Sequence, residues 1–121
     1  MTADHSRQTG AALEAMYQFH LWLVPAVARF PRSQKFLLGD RIQVTALDAL
    51  ERLIEATYTR NRMKLLSEAN LGVETLRFLF RLAHDMACLD MRRYEYAARQ
   101  IDGVGRLIGG WMRAHRGSTS A

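Results

Sequence analysis

The sequence predicts an all-α protein, an antiparallel up-and-down four-helix bundle, and three observations carry that prediction. Apolar residues recur at steps of three and four along most of the chain, as on the buried face of a helix. Both prolines lie before residue 32, so no later proline interrupts a helix. A single domain of 121 residues accommodates four helices of about 20 to 27 residues joined by short turns.

The first helix is predicted over residues 11–29, after a flexible amino terminus of residues 1–10 that ends in Gly10. Its expected buried face consists of Leu13, Met16, Tyr17, His20, Leu21 and Val24, which recur at helical spacing. Pro25 is expected to bend this helix. Pro31 ends it, because proline removes an amide donor and fixes its own φ.

The second helix is predicted over residues 33–58 and begins at the Phe30-Pro31 hinge, where Ser33 can accept a hydrogen bond from a free amide of the first turn. Its outer side is acidic, with Asp40, Asp48, Glu51 and Glu55. Its expected buried residues are Ile42, Ala46, Ala49, Leu50, Leu53 and Ile54. The polar residues 59–62 then form a turn.

The third helix is predicted over residues 63–89 and the fourth over residues 91–112, with Asp90 as the cap of the fourth. The third helix carries an apolar seam at alternating steps of four and three: Ala69, Val73, Leu76, Phe80, Ala83 and Ala87. The fourth is expected to bury Tyr94, Ala97, Ala98, Ile101, Val104, Gly105, Ile108 and Trp111 or Met112. Residues 11–113 therefore form the bundle, and residues 114–121 are predicted to be a disordered tail.

The chain is basic, and its basic residues are mostly arginine. Seventeen Lys and Arg against twelve Asp and Glu give a net charge of +5, and only Lys35 and Lys64 are lysine. Because a guanidinium matches phosphate and carboxylate in two-point geometry, this excess favours nucleic acid or an acidic partner. The candidate contact residues are Arg60, Arg62, Lys64, Arg77, Arg81, Arg92, Arg93, Arg99 and Arg106, with Arg32 and Lys35 at the hinge.

The fourth helix carries the most regular basic pattern. Arg92, Arg99, Arg106 and Arg113 are seven residues apart. They therefore form one slowly winding stripe, with Arg93 beside it. Glu95 and Asp102 lie at pairing distance along the same helix, so the alternative is a solvated surface of weak intrahelical ion pairs. Arg77 and Arg81, which share a face of the third helix, leave the same two interpretations open.

The glycines of the fourth helix do not form a phosphate-binding loop. Gly103, Gly105 and Gly109 are spaced G-x-G-x-x-x-G rather than G-x-G-x-x-G, and no strand precedes them. Since a glycine inside a helix costs up to ~1 kcal/mol relative to alanine, we expect another helix to approach them closely, within the bundle or between subunits. The residues assigned to helix or oligomer packing are Gly105, Gly109, Gly110, Trp111 and Trp22.

No catalytic residue, metal site or cofactor is predicted. The histidines lie in separate segments, with no two at ligand spacing. Cys88 is expected to be a buried structural thiol, and its pairing with His84 is the best nucleophile candidate but a weak one. The longest apolar run, residues 21–28, is far shorter than the roughly 20 residues of a membrane span. The amino terminus lacks the order of a secretory signal, so a cytoplasmic location is expected.

Motifs on all four predicted helices resemble those of one known family. They begin at residues 22, 30, 38, 53, 69, 76, 81, 93 and 108 and read WL, FPRSQKF, LGDRI, LIEA, ANL, LR, RLA, RYEYA and IGGW. In this order, over residues 16–112, they resemble the Avd family, the accessory variability proteins of diversity-generating retroelements.

The resemblance implies a four-helix bundle assembled into a ring-shaped homopentamer with a basic exterior. It also implies association with the reverse transcriptase of the retroelement and with template-repeat RNA or cDNA, in support of mutagenic reverse transcription. It implies no catalytic residues. Related bundles encoded by intervening sequences of rRNA genes share the Phe30-Pro31 hinge. The alternative is therefore a helical structural or adaptor protein with a protein partner only.

Overall fold

The chain folds into four helices in a computed structural model that describes residues 3–120 and, among them, the side chains of residues 10–117. Helix α1 spans Ala3–Ala28. Helix α2 runs without interruption through Arg32–Gln34, a π-helical turn at Lys35–Gly39, and Asp40–Thr57. Helices α3 and α4 span Met63–Asp85 and Met91–Ser120. The described residues contain no strand, so the predicted all-α fold is confirmed.

Each helix packs against two others, as in a four-helix bundle. Helix α1 lies between α2 and α4, and α3 lies between the same two helices on the other side. Helices α2 and α4 are therefore across the bundle from each other. Because short turns join consecutive helices, neighbours run in opposite directions. None of the helices within residues 3–120 combines the length and apolarity that crossing a bilayer requires.

The apolar seams of the last three helices form most of the core. The fully buried residues of these helices include Ile42, Ala46, Leu53, Ala69, Leu76, Phe80, Ala83, Ala97, Ile108 and Trp111. These were predicted, because the core residues of each helix recur at steps of three and four. Two predicted members lie elsewhere: Ile54 is 42% exposed on the outer side of α2, and Ala87 falls in the turn after α3. Four other predicted members are only partly buried: Leu50, Tyr94, Ala98 and Gly105.

The predicted buried face of α1 is largely wrong. Of its members only Met16 is fully buried, and Tyr17, Leu21 and Val24 are 48%, 54% and 41% exposed. The core-facing residues are instead Ala12, Met16, Phe19, Leu23 and Val27. Helix α1 is apolar on two sides, so its spacing fits either face, and tertiary packing decides between them.

The hinge turns the chain with no side-chain cap. Pro31 stands at the N-cap position with φ −54° and ψ 145°, and its carbonyl accepts bonds from the amides of Gln34 and Lys35 at 2.9 Å. The predicted cap at Ser33 is therefore wrong. At the π-helical turn, a Cβ on Gly39 would lie 2.7 Å from Cγ1 of Val27, so only glycine permits this approach of α1 to α2.

The turn between α3 and α4 begins four residues earlier than predicted. Helix α3 ends at Asp85, and Ala87 adopts φ 61°, the left-handed conformation that ends many helices. The amide of Cys88 then donates to the carbonyl of Ala83 at 2.8 Å. Asp90 caps α4 as predicted, because its Oδ1 accepts the amide of Arg93 at 2.8 Å.

Both terminal helices extend beyond their predicted limits. Helix α1 begins at Ala3 rather than residue 11, because a single glycine such as Gly10 weakens a helix without ending it. Helix α4 continues to Ser120, past residue 112 and through most of the predicted tail. His115 is buried in line with Ile108 and Trp111, so the core-facing side continues one turn further. Residues 1, 2 and 121 lie outside the described part.

Candidate nucleic-acid and partner interface

The arginine stripe, Arg92, Arg99, Arg106 and Arg113, lies along the outer side of α4. All four side chains are exposed, on the side of the helix away from buried Ile101 and Ile108. Its 21-residue span corresponds to roughly 32 Å of helix. None of the four forms an ion pair or hydrogen bond with another described residue. The structure therefore leaves this row of guanidiniums available to an external anion.

Arg77 instead ties α3 to α4. Its guanidinium bonds to Glu74 at 3.2 Å on its own helix and forms a short contact with Asp102 of α4. Hydrogen bonds to Glu74 and then Asp102 raise the pKa of Arg77 above its ordinary value. Asp102 is thereby engaged away from the arginine stripe, while Arg81, one turn along α3, is exposed and forms no bond with another described residue.

A cleft of about 320 Å³ lies between α3 and α4 beside the arginine stripe. Its lining residues are Asn70, Glu74, Arg77, Asp102, Gly105, Arg106, Gly109 and Arg113. A Cβ on Gly105 would meet nothing within 4 Å, and one on Gly109 or Gly110 would meet only the Arg113 side chain, at 3.5 and 3.9 Å. No atom from another helix of the described residues lies within 4 Å of these Cβ positions. An approach between subunits stays a prediction.

The turn between α2 and α3 carries a second basic group. Arg60 and Lys64 are exposed, whereas Arg62 is half-buried and donates through Nε to the Thr59 carbonyl at 3.0 Å. The Arg62 guanidinium also lies 5.7 Å from the ring centroid of Trp111, within cation–π range. Arg62 and the fully buried Trp111 thus stabilise this end of the bundle, and Arg60 and Lys64 face solvent.

The third basic group lies at the hinge end of the bundle. Arg29 at the end of α1 and Arg93 at the start of α4 line one pocket of about 250 Å³. Arg32 and Lys35 line another, of about 400 Å³, with Phe30 and Phe36. The hinge and the turn before α4 therefore share one end of the bundle, as their order in an up-and-down topology requires.

The charges are segregated across the bundle. The outer side of α2 carries Asp40, Asp48, Glu51 and Glu55, all exposed, whereas α4 on the far side carries the arginine stripe. Arg52 pairs with Glu55 at 3.1 Å and with Glu68 of α3 at 3.7 Å, so it adds little positive potential of its own. A polyanion is therefore drawn to the α4 side.

Exposed apolar side chains form two further surfaces that sequence reasoning did not identify. The α1–α2 apolar surface comprises Tyr17, Leu21, Val24, Leu47 and Ile54, and the α3 apolar surface comprises Leu71, Phe78, Leu82 and Met86. Extended exposed apolar surface is typical of sites that contact another protein or a membrane and of ligand-binding grooves. The signal that could have found the first surface is the second apolar side of α1, which was assigned to the core. The second surface is marked by Leu71, Phe78 and Leu82, which are seven and four residues apart on α3.

Cys88 and His84 do not share an environment suited to nucleophilic catalysis. Cys88 is buried, and burial raises the pKa of its thiol, which opposes thiolate formation. The His84 ring stacks on Tyr94 with centroids 5.0 Å apart, and its Nδ1 lies 3.3 Å from Asp85. Among the described residues, no group of three His, Cys, Asp or Glu side chains is arranged to hold a metal ion.

Comparison with known proteins gives one match. A family model described as bAvd-like matches residues 12–115, which include most of all four helices. This confirms the resemblance to the Avd family. None of the curated proteins compared matches the chain.

Proposed function

The chain belongs to the bAvd-like family, and from this premise we propose that it is a non-enzymatic accessory protein of a diversity-generating retroelement. In this role it binds the reverse transcriptase and the template-repeat RNA or cDNA and supports mutagenic reverse transcription. The observation that carries the nucleic-acid part is the arginine stripe of α4, whose four exposed guanidiniums form no ion pair or hydrogen bond with another described residue.

The arginine stripe suits a single strand better than a compact ligand. Its guanidiniums recur about every 10 Å along the helix axis, and a flexible strand can adjust its phosphates to such a spacing. Arg81 and the basic groups at both ends of the bundle extend the same positive field. Phosphate contacts of this kind release counterions and bind with little sequence preference.

The apolar surfaces support protein partners as well. Two such surfaces on different helices allow one surface of a copy to pack on the other surface of the next copy, which is the arrangement that closes a ring. We propose a ring-shaped homopentamer on this basis, with the reverse transcriptase bound to surface that the ring leaves free. The ring then presents several arginine stripes to one strand.

The direct experiment compares two charge reversals on single-stranded RNA. Arg106→Glu changes the centre of the arginine stripe, and Arg41→Glu makes the same change at an exposed arginine on α2. Loss of one phosphate contact weakens binding about fivefold at 0.1 M salt. We expect Arg106→Glu to weaken binding by at least that factor and Arg41→Glu to have a smaller effect. Equal effects would show that α4 is not the binding face.

A structural or adaptor protein with a protein partner only is the alternative, and the exposed apolar surfaces favour it equally. Absorbance separates the two functions, because a nucleic-acid-binding protein purified at low salt carries bound nucleic acid and has a raised ratio of 260 to 280 nm absorbance. A protein-like ratio, together with no RNA affinity, would favour the adaptor. Normal retroelement function with Cys88→Ser would exclude an enzyme that uses this thiol.

A further inference from the structure

A pocket at the hinge end of the bundle combines an aromatic wall with two cationic side chains. It lies between the end of α1 and the start of α4, has a volume of about 250 Å³, and is lined by Trp22, Pro25, Ala26, Arg29 and Arg93. Trp22 is half-buried and supplies the one aromatic side chain among these lining residues.

The indole of Trp22 is held in place by other rings. It stacks on Phe19 with centroids 5.9 Å apart and planes 14° from parallel, and it lies 6.2 Å from Phe80, both fully buried. Tyr96 of α4 covers another side at 4.9 Å and is itself 37% exposed. An aromatic surface fixed in this way loses little conformational freedom when a planar ligand stacks on it.

The two guanidiniums beside the indole differ in the hydrogen bonds and ion pairs that they form. Arg29 forms no hydrogen bond or ion pair with another described residue. Arg93 follows the cap of α4, where its amide bonds to Asp90 and its guanidinium lies 3.9 Å from Oδ2 of the same carboxylate. The Asp90 contact is long and exposed, so it orients Arg93 without neutralising it strongly.

We propose that this pocket binds one nucleotide of a single-stranded nucleic acid, with the base against Trp22 and the adjoining phosphate between Arg29 and Arg93. Base stacking on an aromatic ring, together with arginine on the backbone, is the general means by which single strands are held without sequence preference. The inference rests on the proposed function, because the arginine stripe begins at Arg92, next to Arg93, and leads a strand towards the pocket.

If the pocket binds a base, the affinity for a strand depends on its bases, whereas phosphate contacts alone give no such dependence. The probes are an eight-nucleotide thymidylate strand and an abasic strand with the same number of phosphates. We expect the abasic strand to bind the wild-type protein about 5- to 100-fold more weakly. Thymidylate should also quench the fluorescence of Trp22, while the fully buried Trp111 contributes a constant background.

Substitutions at Trp22 test whether the preference for a strand with bases arises at this pocket. Trp22→Leu should reduce thymidylate affinity to that of the abasic strand, and Trp22→Phe should retain part of the difference. Tyr58→Leu removes an exposed ring at the opposite end of the bundle, outside the pocket, and should change neither affinity. Circular dichroism checks that each variant is folded. If Trp22→Leu does not fold, the comparison of the two strands on the wild-type protein still tests whether the bases contribute to binding.

The outcomes separate this proposal from the proposed function. Equal affinity for the two strands, or binding without quenching, would overturn the nucleotide pocket and leave a phosphate-only mode of binding. Failure of both strands to bind at low salt would overturn the nucleic-acid function itself, and the pocket with it. Preferential binding of thymidylate that Trp22→Leu abolishes would support both.

Discussion

Gly105 lies inside α4, where a larger side chain has room. A Cβ on Gly105 would meet no atom within 4 Å, so Gly105→Ala introduces no contact that the chain must accommodate. Alanine stabilises a helix interior relative to glycine by about 0.5–1 kcal/mol, largely by restricting the unfolded chain. For a domain of this size, that gain raises Tm by about 2–5 °C. Gly105→Ala should therefore make the protein more stable.

Gly39→Ala is the matched control. Its Cβ would lie 2.7 Å from Cγ1 of fully buried Val27, so the same substitution forces the core to shift. Overpacking of this kind lowers the free energy of unfolding by about 1–3 kcal/mol. This loss is generally larger than the gain in helix propensity from glycine to alanine. Urea unfolding at low protein concentration, where association contributes least, measures both free energies. A Gly105→Ala protein less stable than wild type at low concentration would refute the reasoning.

If Gly105 is retained for an external contact, Gly105→Ala should also weaken self-association or RNA binding while the isolated chain becomes more stable. Light scattering and filter binding measure the two properties separately. Unchanged association and RNA affinity would mean that the glycine has neither role.

The remaining predictions concern stability and pH. Arg77→Gln should lower the free energy of unfolding by at most about 1 kcal/mol, because the ion pairs of Arg77 with Glu74 and Asp102 are about a third to a half exposed. A much larger loss, measured by urea unfolding, would contradict this. Ala87→Gly should stabilise by about 1 kcal/mol, because glycine adopts φ 61° without the Cβ penalty. Burial lowers the pKa of His20, so its contribution to stability is present above the unfolded pKa near 6.5 and is lost as pH falls through the lower folded value. His20→Gln should flatten the decline of Tm with acid. Burial raises the pKa of Cys88, so stability should fall as pH rises above about 8.5, and Cys88→Ser should remove that part of the decline.

The fold was predictable from sequence because the core residues of three of the four helices recur at regular steps of three and four. The seams through Ile42, Val73 and Ile101 follow from spacing alone, and Pro31 marks the first corner. Helix α1 was not predictable in the same way. Phe19 and Leu23 compete with Tyr17 and Leu21 for the core, and only packing against Phe80 and the other helices decides between them.

The arginine stripe was predictable, because a seven-residue repeat on a helix fixes its side. The separate role of Arg77 was not, because its partner Asp102 is 25 residues away and on another helix. Trp22, Arg29 and Arg93 likewise line one pocket at the hinge end. Arg93 is far from the other two in the sequence, so no local pattern predicts that they lie together. Sequence reasoning identified the basic residues, and the tertiary arrangement distinguishes those that hold the bundle from those that face solvent.

The salt dependence of single-stranded RNA binding tests the central claim most directly. Phosphate contacts at the four arginines of the stripe, at Arg81 and at Arg93 predict that log K falls with log salt concentration with a slope near −4. Filter binding between 50 and 300 mM salt measures this slope, with circular dichroism to show that the protein stays folded. We expect a slope near −4 for the wild-type protein that becomes shallower by about 0.7 in Arg106→Glu. A flat dependence in the folded protein would contradict it.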